Sequence, residues 1–287
     1  MPHTECAYRE LIERGLRDHL PESRLRCADR LNHALRYAMF PGGKRTRPLL
    51  TLLAAKAAGG CEHTALPAAC AIEFLHASSL IFDDLPAMDN ADLRRGKLAL
   101  HAACGEDIAL LAALALLNQA YAIFGRCPLL LSEAVEAIGE NGMIGGQAVD
   151  LLNTSTAPSA ARNRKTSALM RLTLVAGALA VDADPDAVAV LAAAGESLGE
   201  AYQICDDLLD AYLDCGATGK TERQDARNGR ATHASAFAAE VCRAQALELV
   251  SGATESIDRH FGANGSPLVD HIKAIATEFG RAGLVAA

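Results

Sequence analysis

The chain has 287 residues, and 51% of them are hydrophobic, which is enough for one large domain or two small ones. Aromatic residues make up only 4% and tryptophan is absent, so alanine and leucine must fill the core, which favours close-packed helices over sheet. The net charge of −8 argues against nucleic acid as the main partner, because neutralising the phosphate backbone requires cationic side chains.

Helical periodicity recurs along almost the whole chain, and β-branched alternation is nearly absent. Glycine- and proline-rich breaks divide the chain into segments for about ten helices, and the short connections favour antiparallel neighbours. Because no linker is long enough to separate domains, we predict one all-α domain over residues 1–287. The breaks fall at residues 41–43, 58–61, 125–128, 153–158, 216–229 and 262–267.

The cysteines and the apolar runs indicate the compartment. Nine cysteines are scattered along the chain without a C-x-x-C pair, which predicts reduced thiols in a cytoplasmic protein. The N-terminal residues lack the charged and apolar regions of a signal peptide. The longest apolar runs are about ten residues, too short to cross a bilayer, so no transmembrane segment is predicted.

The first break carries a basic loop, PGGKRTRP, in which Lys44, Arg45 and Arg47 lie close together. Its glycines allow the backbone to approach a ligand. The spacing differs from that of a Walker A phosphate loop, G-x-x-x-x-G-K-[ST]. Two interpretations remain, a phosphate site and a charged turn that opens a helix.

A long apolar helix is predicted to run into the first aspartate cluster, DDLPAMD at residues 83–89. Pro86 clashes with the carbonyl four residues before it, so the helix should kink or end near residues 82–85 and swing Asp89 back beside Asp83. The basic run RRGK follows at residues 94–97. Acids next to arginine forks suggest a metal–diphosphate clamp, and the alternatives are an ordinary acidic helix end and a solvated basic surface.

The second aspartate cluster is DDLLD at residues 206–210, at the end of another apolar helix. Asp206 and Asp210 are spaced i, i+4 and therefore share one helix face. Two carboxylates on one face suit Mg²⁺, which prefers oxygen ligands and completes its shell with waters and substrate phosphates. The alternative is a solvated acidic face. Lys220 and Arg230 follow in a glycine-rich stretch that is suited to closing over a phosphate.

These motifs resemble those of the trans-isoprenyl diphosphate synthases, the polyprenyl synthetase family, and most of all the bacterial geranylgeranyl and farnesyl diphosphate synthases. Any one motif is weak, but six in the family's order are specific, and they cover residues 30 to 235 approximately. The matching segments are GGKRTRP, DDLPAMDNADLRRGK, GGQ at 145–147, KT at 165–166, QICDDLLD and GK at 219–220.

The resemblance implies a bundle of roughly ten or more helices around a deep central cavity, a homodimer, three Mg²⁺ ions, and isopentenyl and allylic diphosphates as substrates. In the implied reaction, metal ions and cations neutralise the departing diphosphate, and no side-chain nucleophile is needed. The positions matched to the metal sites are Asp83, Asp89 and Asp206, supported by Asp84, Asp207 and Asp210. The positions matched to isopentenyl diphosphate are Lys44, Arg47, His76 and Arg95. The positions matched to the allylic diphosphate are Arg94, Lys165, Thr166, Gln203 and Lys220, with Arg230 in the same final loop.

Product length in this family depends on the cavity floor below the first motif. Ser78 and Ser79 lie about one helical turn before Asp83, where farnesyl-forming relatives often have a bulky aromatic. Their small size implies a twenty-carbon product, geranylgeranyl diphosphate, with Phe74 as the next floor. A farnesyl diphosphate synthase is the nearest alternative.

Two further alternatives are a class I terpene cyclase and a non-catalytic subunit of a heteromeric synthase. A cyclase normally has one such aspartate cluster and needs no isopentenyl diphosphate site, and silent subunits tend to lose one motif, whereas both clusters are intact here. The chain departs from the family pattern at Leu98-Ala99, at Arg230 and at His233. These departures leave the aspartates unchanged and bear on closure of the last loop and on substrate preference.

Overall fold

The computed structural model describes residues 2–151, 159–212 and 239–279, without the side chains of residues 2–5, 159–163, 209–212 and 278–279. These residues form a helical bundle with one short hairpin, which confirms the predicted all-α class. The helices are α1 (Pro2–His19), α2 (Asp29–Met39), α3 (Thr46–Ala57), α4 (Glu62–Asp84), α5 (Leu100–Cys104), α6 (Glu106–Phe124), α7 (Pro128–Ile138), α8 (Met143–Leu151), α9 (Ser159–Leu179), α10 (Pro185–Tyr212), α11 (Ala239–Phe261) and α12 (Ser266–Phe279). A 3₁₀ turn, Gly262–Asn264, separates the last two.

Small side chains build the interior, as the low aromatic content predicts. Helices α4 and α6 pack against each other through faces rich in alanine. A helix with alanine on its inner face can approach its neighbour closely, because no long side chain separates the two backbones. The buried alanines of the two helices are Ala65, Ala68, Ala69, Ala71, Ala109, Ala112, Ala113 and Ala120.

Helix α9 is the central element of the described bundle, in contact with α3, α4, α7, α8 and α10. It is joined to α10 by residues 180–184 and lies against it, so the two are antiparallel. A Cβ atom added at Gly199 would lie 2.4 Å from Ser167 Cα, and one added at Gly195 would lie 2.6 Å from Arg171 Cα. The two glycines therefore allow close approach and fix which residues of α9 and α10 face each other.

A two-stranded hairpin was not predicted from the sequence. Strand β1 (Leu93–Arg94) pairs antiparallel with β2 (Lys97–Leu98), and Arg94 lies opposite Lys97. The connecting residues, Arg95 and Gly96, have φ values of 53° and 75°, the left-handed pair that a tight type I′ turn requires. The X-Gly dipeptide was the available signal, but strands this short show no alternation. The hairpin divides the basic run between two strands and a turn.

Two described helices, α4 and α6, are long and apolar enough in composition to cross a membrane. The most apolar stretch of α4 is 61% buried within the bundle and that of α6 is 39% buried. Helices in the core of a globular protein also meet this length criterion. The absence of a transmembrane segment therefore stays a prediction.

Candidate active site

The first aspartate cluster lies where α4 ends. The helix stops at Asp84, as Pro86 predicts, and the chain folds back over the helix end. The backbone N–H of Asp89 donates to the Asp83 carbonyl at 2.9 Å, and that of Ala91 donates to the Asp84 carbonyl at 3.2 Å. These bonds satisfy carbonyls that have no partner within the helix. They confirm that Asp89 returns to a place beside Asp83.

Each of the two consecutive carboxylates at this helix end has a basic partner. Asp83 Oδ2 lies 2.9 Å from Lys165 Nζ of α9. Asp84 accepts hydrogen bonds from Arg94 Nε at 3.0 and 3.1 Å and a further one from Arg94 Nη2. Burial raises the pKa of Asp84, Arg94 opposes that rise, and Asp83 and Asp89 add to it. Acidic and basic side chains of the cluster are therefore paired with each other, as the sequence predicts.

The second cluster lies on α10 and contacts α9 through a hydrogen-bonded chain. Thr166 Oγ1 donates to Gln203 Oε1 at 2.6 Å, and Gln203 Nε2 donates to Asp207 Oδ1 at 2.7 Å. Asp207 is buried and Asp206 is half-buried. Asp210 belongs to the same helix, but its side chain is outside the described residues.

The two clusters meet on consecutive residues of α9. Lys165 pairs with Asp83 of the first cluster, and Thr166 reaches Asp207 of the second through Gln203. Because Lys165 contacts the first cluster and its neighbour Thr166 is linked to the second through Gln203, the two sets of carboxylates lie near the same short stretch of α9. The sequence predicted this meeting only through the family resemblance.

Cations from α3 and the hairpin lie beside the same helix end. Arg47 Nη1 is 3.5 Å from His76 Nε2, and the Arg47 guanidinium lies over the Tyr202 ring, 5.4 Å from its centroid. Arg47 Nε is buried and has no hydrogen-bond partner among the described residues. Burial lowers the pKa of His76 well below its usual value, and Arg47 and Arg95 lower it further, so the ring is neutral near pH 7. Arg95 and Lys44 are exposed.

Sequence reasoning missed two residues of this region. Tyr202 had no assigned role, although it precedes Gln203 and stacks on Arg47. Gln147 was noted only as part of the GGQ segment, yet both polar atoms of its amide are buried without a partner among the described residues. It follows Gly146, at which an added Cβ would lie 2.4 Å from Lys165 N, so the GGQ segment contacts α9 at the site.

The predicted chain-length residues lie inside the bundle. Ser78 is fully buried, and its hydroxyl donates to the Ala113 carbonyl of α6 at 2.9 Å. Ser79 donates to the His76 carbonyl at 2.9 Å, and Phe74 is fully buried. Their role stays a prediction. Lys220 and Arg230 lie outside the described residues.

An apolar hollow of about 740 Å³, mouth included, lies away from the first cluster. Its walls come from α3, α9, α10, α11 and α12, and no residue of α4 lines it. It is thus distinct from the cavity expected below Asp83. Tyr202 lines this hollow and also stacks on Arg47, so the hollow lies next to the Arg47 side chain.

Comparison with known proteins agrees with this arrangement. The family model for polyprenyl synthetase matches residues 28–260. A putative geranylgeranyl pyrophosphate synthase from Arabidopsis thaliana is 36% identical over 257 residues, which cover 83% of this chain and 71% of that protein. The crystal structure of an FPP/GFPP synthase from Zymomonas mobilis has a TM-score of 0.80 and 34% identity, covering 97% of this chain and 99% of that one. A geranyltransferase from Helicobacter pylori, complexed with magnesium and isoprenyl diphosphate, has a TM-score of 0.77 and 28% identity, covering 96% of each chain.

Proposed function

Because the chain belongs to the polyprenyl synthetase family, we propose that it condenses isopentenyl diphosphate with an allylic diphosphate in a magnesium-dependent, trans, head-to-tail reaction. The observation that carries this proposal is the meeting of both aspartate clusters on Lys165 and Thr166. A diphosphate bound there would have carboxylates on two sides and a lysine between them.

The donor set of the site fits magnesium. No group of three or more His, Cys, Asp or Glu side chains that could hold a metal occurs among the residues that the structure describes. Mg²⁺ does not need such a group, since it is usually held by one or two carboxylates, waters and substrate phosphates. We propose that Asp83 and Asp89 hold two ions and Asp206 a third, as the family resemblance implies. When bound, the ions neutralise charge on the departing diphosphate.

The acid–base pairs of the site can exchange partners without leaving a charge unpaired. In the structure Lys165 neutralises Asp83, and Arg94 neutralises Asp84. Asp83 would hold a metal ion when a metal diphosphate is bound, and Lys165 would then be available to a phosphate oxygen. Arg94 engages Asp84 through Nε and Nη2, and its remaining N–H groups can bind phosphate at the same time. Half-buried cations such as Lys165 and Arg94 stabilise the charge that develops when the allylic C–O bond breaks.

We assign the second diphosphate site to Lys44, Arg47, His76 and Arg95. The buried Arg47 Nε lacks a partner among the described residues, which leaves a charged donor for an anion. The neutral His76 ring can accept from Arg47 and adds no repulsion to this group of arginines. In the proposed reaction the double bond of isopentenyl diphosphate attacks the allylic cation, and a proton then leaves to the released diphosphate.

The test is incubation of the pure protein with Mg²⁺, isopentenyl diphosphate and each allylic starter, with the products separated by chromatography. We expect a linear prenyl diphosphate, lost on chelation with EDTA. Asp83→Asn should lower turnover by about a hundredfold or more, whereas Asp258→Asn, a surface aspartate of α11, should leave it unchanged. A cyclised hydrocarbon would identify a terpene cyclase instead, and no product from any starter would identify a non-catalytic subunit.

For product length we propose geranylgeranyl diphosphate, with farnesyl diphosphate as the alternative. The small Ser78 supports the longer product, because it brings less bulk to the contact between α4 and α6 than a large aromatic at the same position would. Ser78→Tyr should shorten the main product from twenty to fifteen carbons. Ser78→Ala, which removes the hydroxyl without adding bulk, should keep it. An unchanged product in Ser78→Tyr would overturn this assignment.

We also propose a homodimer in the cytoplasm, formed through the outer face of α6. Leu110, Leu111 and Leu114 lie on this face and are 41%, 52% and 52% exposed, while the opposite face of α6 packs on α4. Adjacent exposed leucines on one helix favour burial against a partner. A second copy would cover them with its own α6, as in a two-fold symmetric interface.

A further inference from the structure

Arg45 lies in the middle of the basic loop, between Lys44 and Arg47, but its side chain points into the protein. It is only 3% exposed, although its neighbours in the loop are exposed or half-buried. Its backbone has a φ of 57°, a left-handed conformation that is unfavourable for a residue with a Cβ. Such a conformation persists only where surrounding contacts impose it.

Those contacts come from three helices. Arg45 Nε lies 2.8 Å from Glu13 Oε1 of α1, and Nη1 lies 2.7 Å from Glu73 Oε1 of α4. Nη2 donates to the Met39 carbonyl at the end of α2, at 2.6 Å. All three guanidinium nitrogens are thus engaged, so Arg45 has no face left for a phosphate. Glu73 is itself 3% exposed and depends on Arg45 for its neutralisation.

The two glycines of the loop leave room for two guanidinium groups. A Cβ atom added at Gly42 would lie 2.0 Å from Arg45 Cζ, and one added at Gly43 would lie 2.8 Å from Arg95 Cζ. One guanidinium packs against each glycine, the first from inside the loop and the second from the hairpin turn. Lys97 Nζ donates to the Phe40 carbonyl at 3.1 Å and joins the same hairpin to the start of the loop.

Arg45 also sets the backbone from which two substrate cations project. Lys44 precedes it and Arg47 follows two residues later, at the start of α3. Arg95 lies against the adjacent glycine. A shift of the Arg45 backbone therefore displaces Lys44 and Arg47 and moves the glycine against which Arg95 packs. Displacements of about 1 Å are enough to cost a binding or catalytic site up to a hundredfold.

We propose that Arg45, held by Glu13 and Glu73, is a positioning residue for the diphosphate site formed by Lys44, Arg47 and Arg95. This inference rests on the proposed function of that site. Through Glu13, helix α1 then supports the substrate site, although Glu13 lies outside residues 28–260, which the family model matches. Arg45 acts through the loop backbone and does not touch the substrate.

The test measures diphosphate binding and turnover separately. Isothermal titration calorimetry with inorganic diphosphate and with isopentenyl diphosphate is applied to the wild type, Arg45→Met, Glu13→Gln and Arg36→Met. The last is the matched control, because Arg36 forms a surface ion pair with Glu22 at the same 2.7 Å distance. Steady-state kinetics on the same proteins gives KM for each substrate and kcat.

We expect Arg45→Met to weaken binding of both ligands and to raise KM for isopentenyl diphosphate by about ten- to a hundredfold, with KM for the allylic substrate changed less than about threefold. Glu13→Gln, which keeps the Arg45–Glu73 pair, should give a smaller change of the same kind, and Arg36→Met none. A purely structural role would reduce the amount of active protein and hence the apparent kcat, and leave KM unchanged.

Glu13→Gln keeps the inference testable if Arg45→Met does not fold. Binding within twofold of the wild type in every folded variant of Arg45 and Glu13 would overturn the inference. If the wild type binds diphosphate but makes no prenyl product, the proposed function fails while the binding comparison still decides the role of Arg45. A wild type that binds neither ligand overturns both.

Discussion

The hydrogen-bonded chain Thr166–Gln203–Asp207 gives a quantitative prediction about the second aspartate cluster. Gln203 accepts from Thr166 at 2.6 Å and donates to Asp207 at 2.7 Å. Gln203→Leu removes both bonds and leaves Asp207, a buried carboxylate, without that donor. A neutral hydrogen bond contributes about 0.5–1.5 kcal/mol and one to a charged group about 1.5–3 kcal/mol, so the free energy of unfolding should fall by roughly 2–4.5 kcal/mol.

Gln203→Glu tests the same contact through its pH dependence. The substitution replaces the donor nitrogen, 2.7 Å from Asp207 Oδ1, with a second carboxyl oxygen. Two carboxylates this close cannot both ionise, so the apparent pKa of the pair rises in the folded state. The folded protein then binds more protons than the unfolded chain, and its stability falls as the pH rises. The variant should therefore be destabilised at neutral pH, and the destabilisation should shrink as the pH falls and one of the two carboxyls is protonated.

The assay is urea unfolding followed by circular dichroism at several pH values between 4.5 and 8. Gln119→Leu is the control. Among the described residues the Gln119 side chain makes one hydrogen bond, to the His19 carbonyl at 2.9 Å, so its loss should cost about 1 kcal/mol at every pH. The reasoning is refuted if Gln203→Leu costs no more than Gln119→Leu. It is also refuted if the penalty of Gln203→Glu is the same at pH 4.5 and pH 8.

The remaining predictions concern a thiol, a histidine and a surface. Burial, with a smaller contribution from Glu73, raises the pKa of the Cys70 thiol to about 12. In the folded protein at pH 8, iodoacetamide should therefore modify exposed Cys61 and leave Cys70 unmodified. Similar rates of modification at the two cysteines, measured by peptide mass spectrometry, would contradict this. The lowered pKa of His76 means that the unfolded chain takes up a proton which the folded protein resists, so stability falls as the pH drops below about 6.5. His76→Gln should reduce that loss between pH 7 and 5.5 in urea titrations, and equal slopes would disprove it. If the proposed dimer forms, Leu111→Asp should lower its mass to that of a monomer, as measured by light scattering, and an unchanged dimer mass would rule out the α6 face.

The end of α4 could be predicted because its cause is local. Pro86 cannot follow a continuous helix, and the helix ends at Asp84. The return of Asp89 to the Asp83 carbonyl follows from the same local geometry, since the last carbonyls of a helix need donors from the chain that comes next. The i, i+4 placement of Asp206 and Asp210 was equally local and depended only on an uninterrupted α10.

The partners of these acids could not be predicted in the same way. The pairing of Asp83 with Lys165 joins residues far apart in sequence, and it depends on how closely α9 packs against α4. The Thr166–Gln203 contact depends on the register that Gly195 and Gly199 allow between α9 and α10. Glycines on a helix indicate a close approach but not the residue that approaches. Only the family resemblance brought these residues together in advance.

The basic loop shows why residue type alone does not assign a role. The pattern of Lys44, Arg45 and Arg47 left a phosphate site and a charged turn open for the loop as a whole, and only the family resemblance singled out Lys44 and Arg47. The structure separates them by burial and by counter-ions, because Arg45 has two glutamates and a carbonyl, whereas Arg47 has a buried Nε without a partner among the described residues. All three guanidinium nitrogens of Arg45 already have partners inside the protein, so we infer that the middle cation orients the loop while Lys44 and Arg47 serve the diphosphate. An acidic chain can bind an anion at such a site, because the cations that face the anion decide binding and not the net charge of the chain.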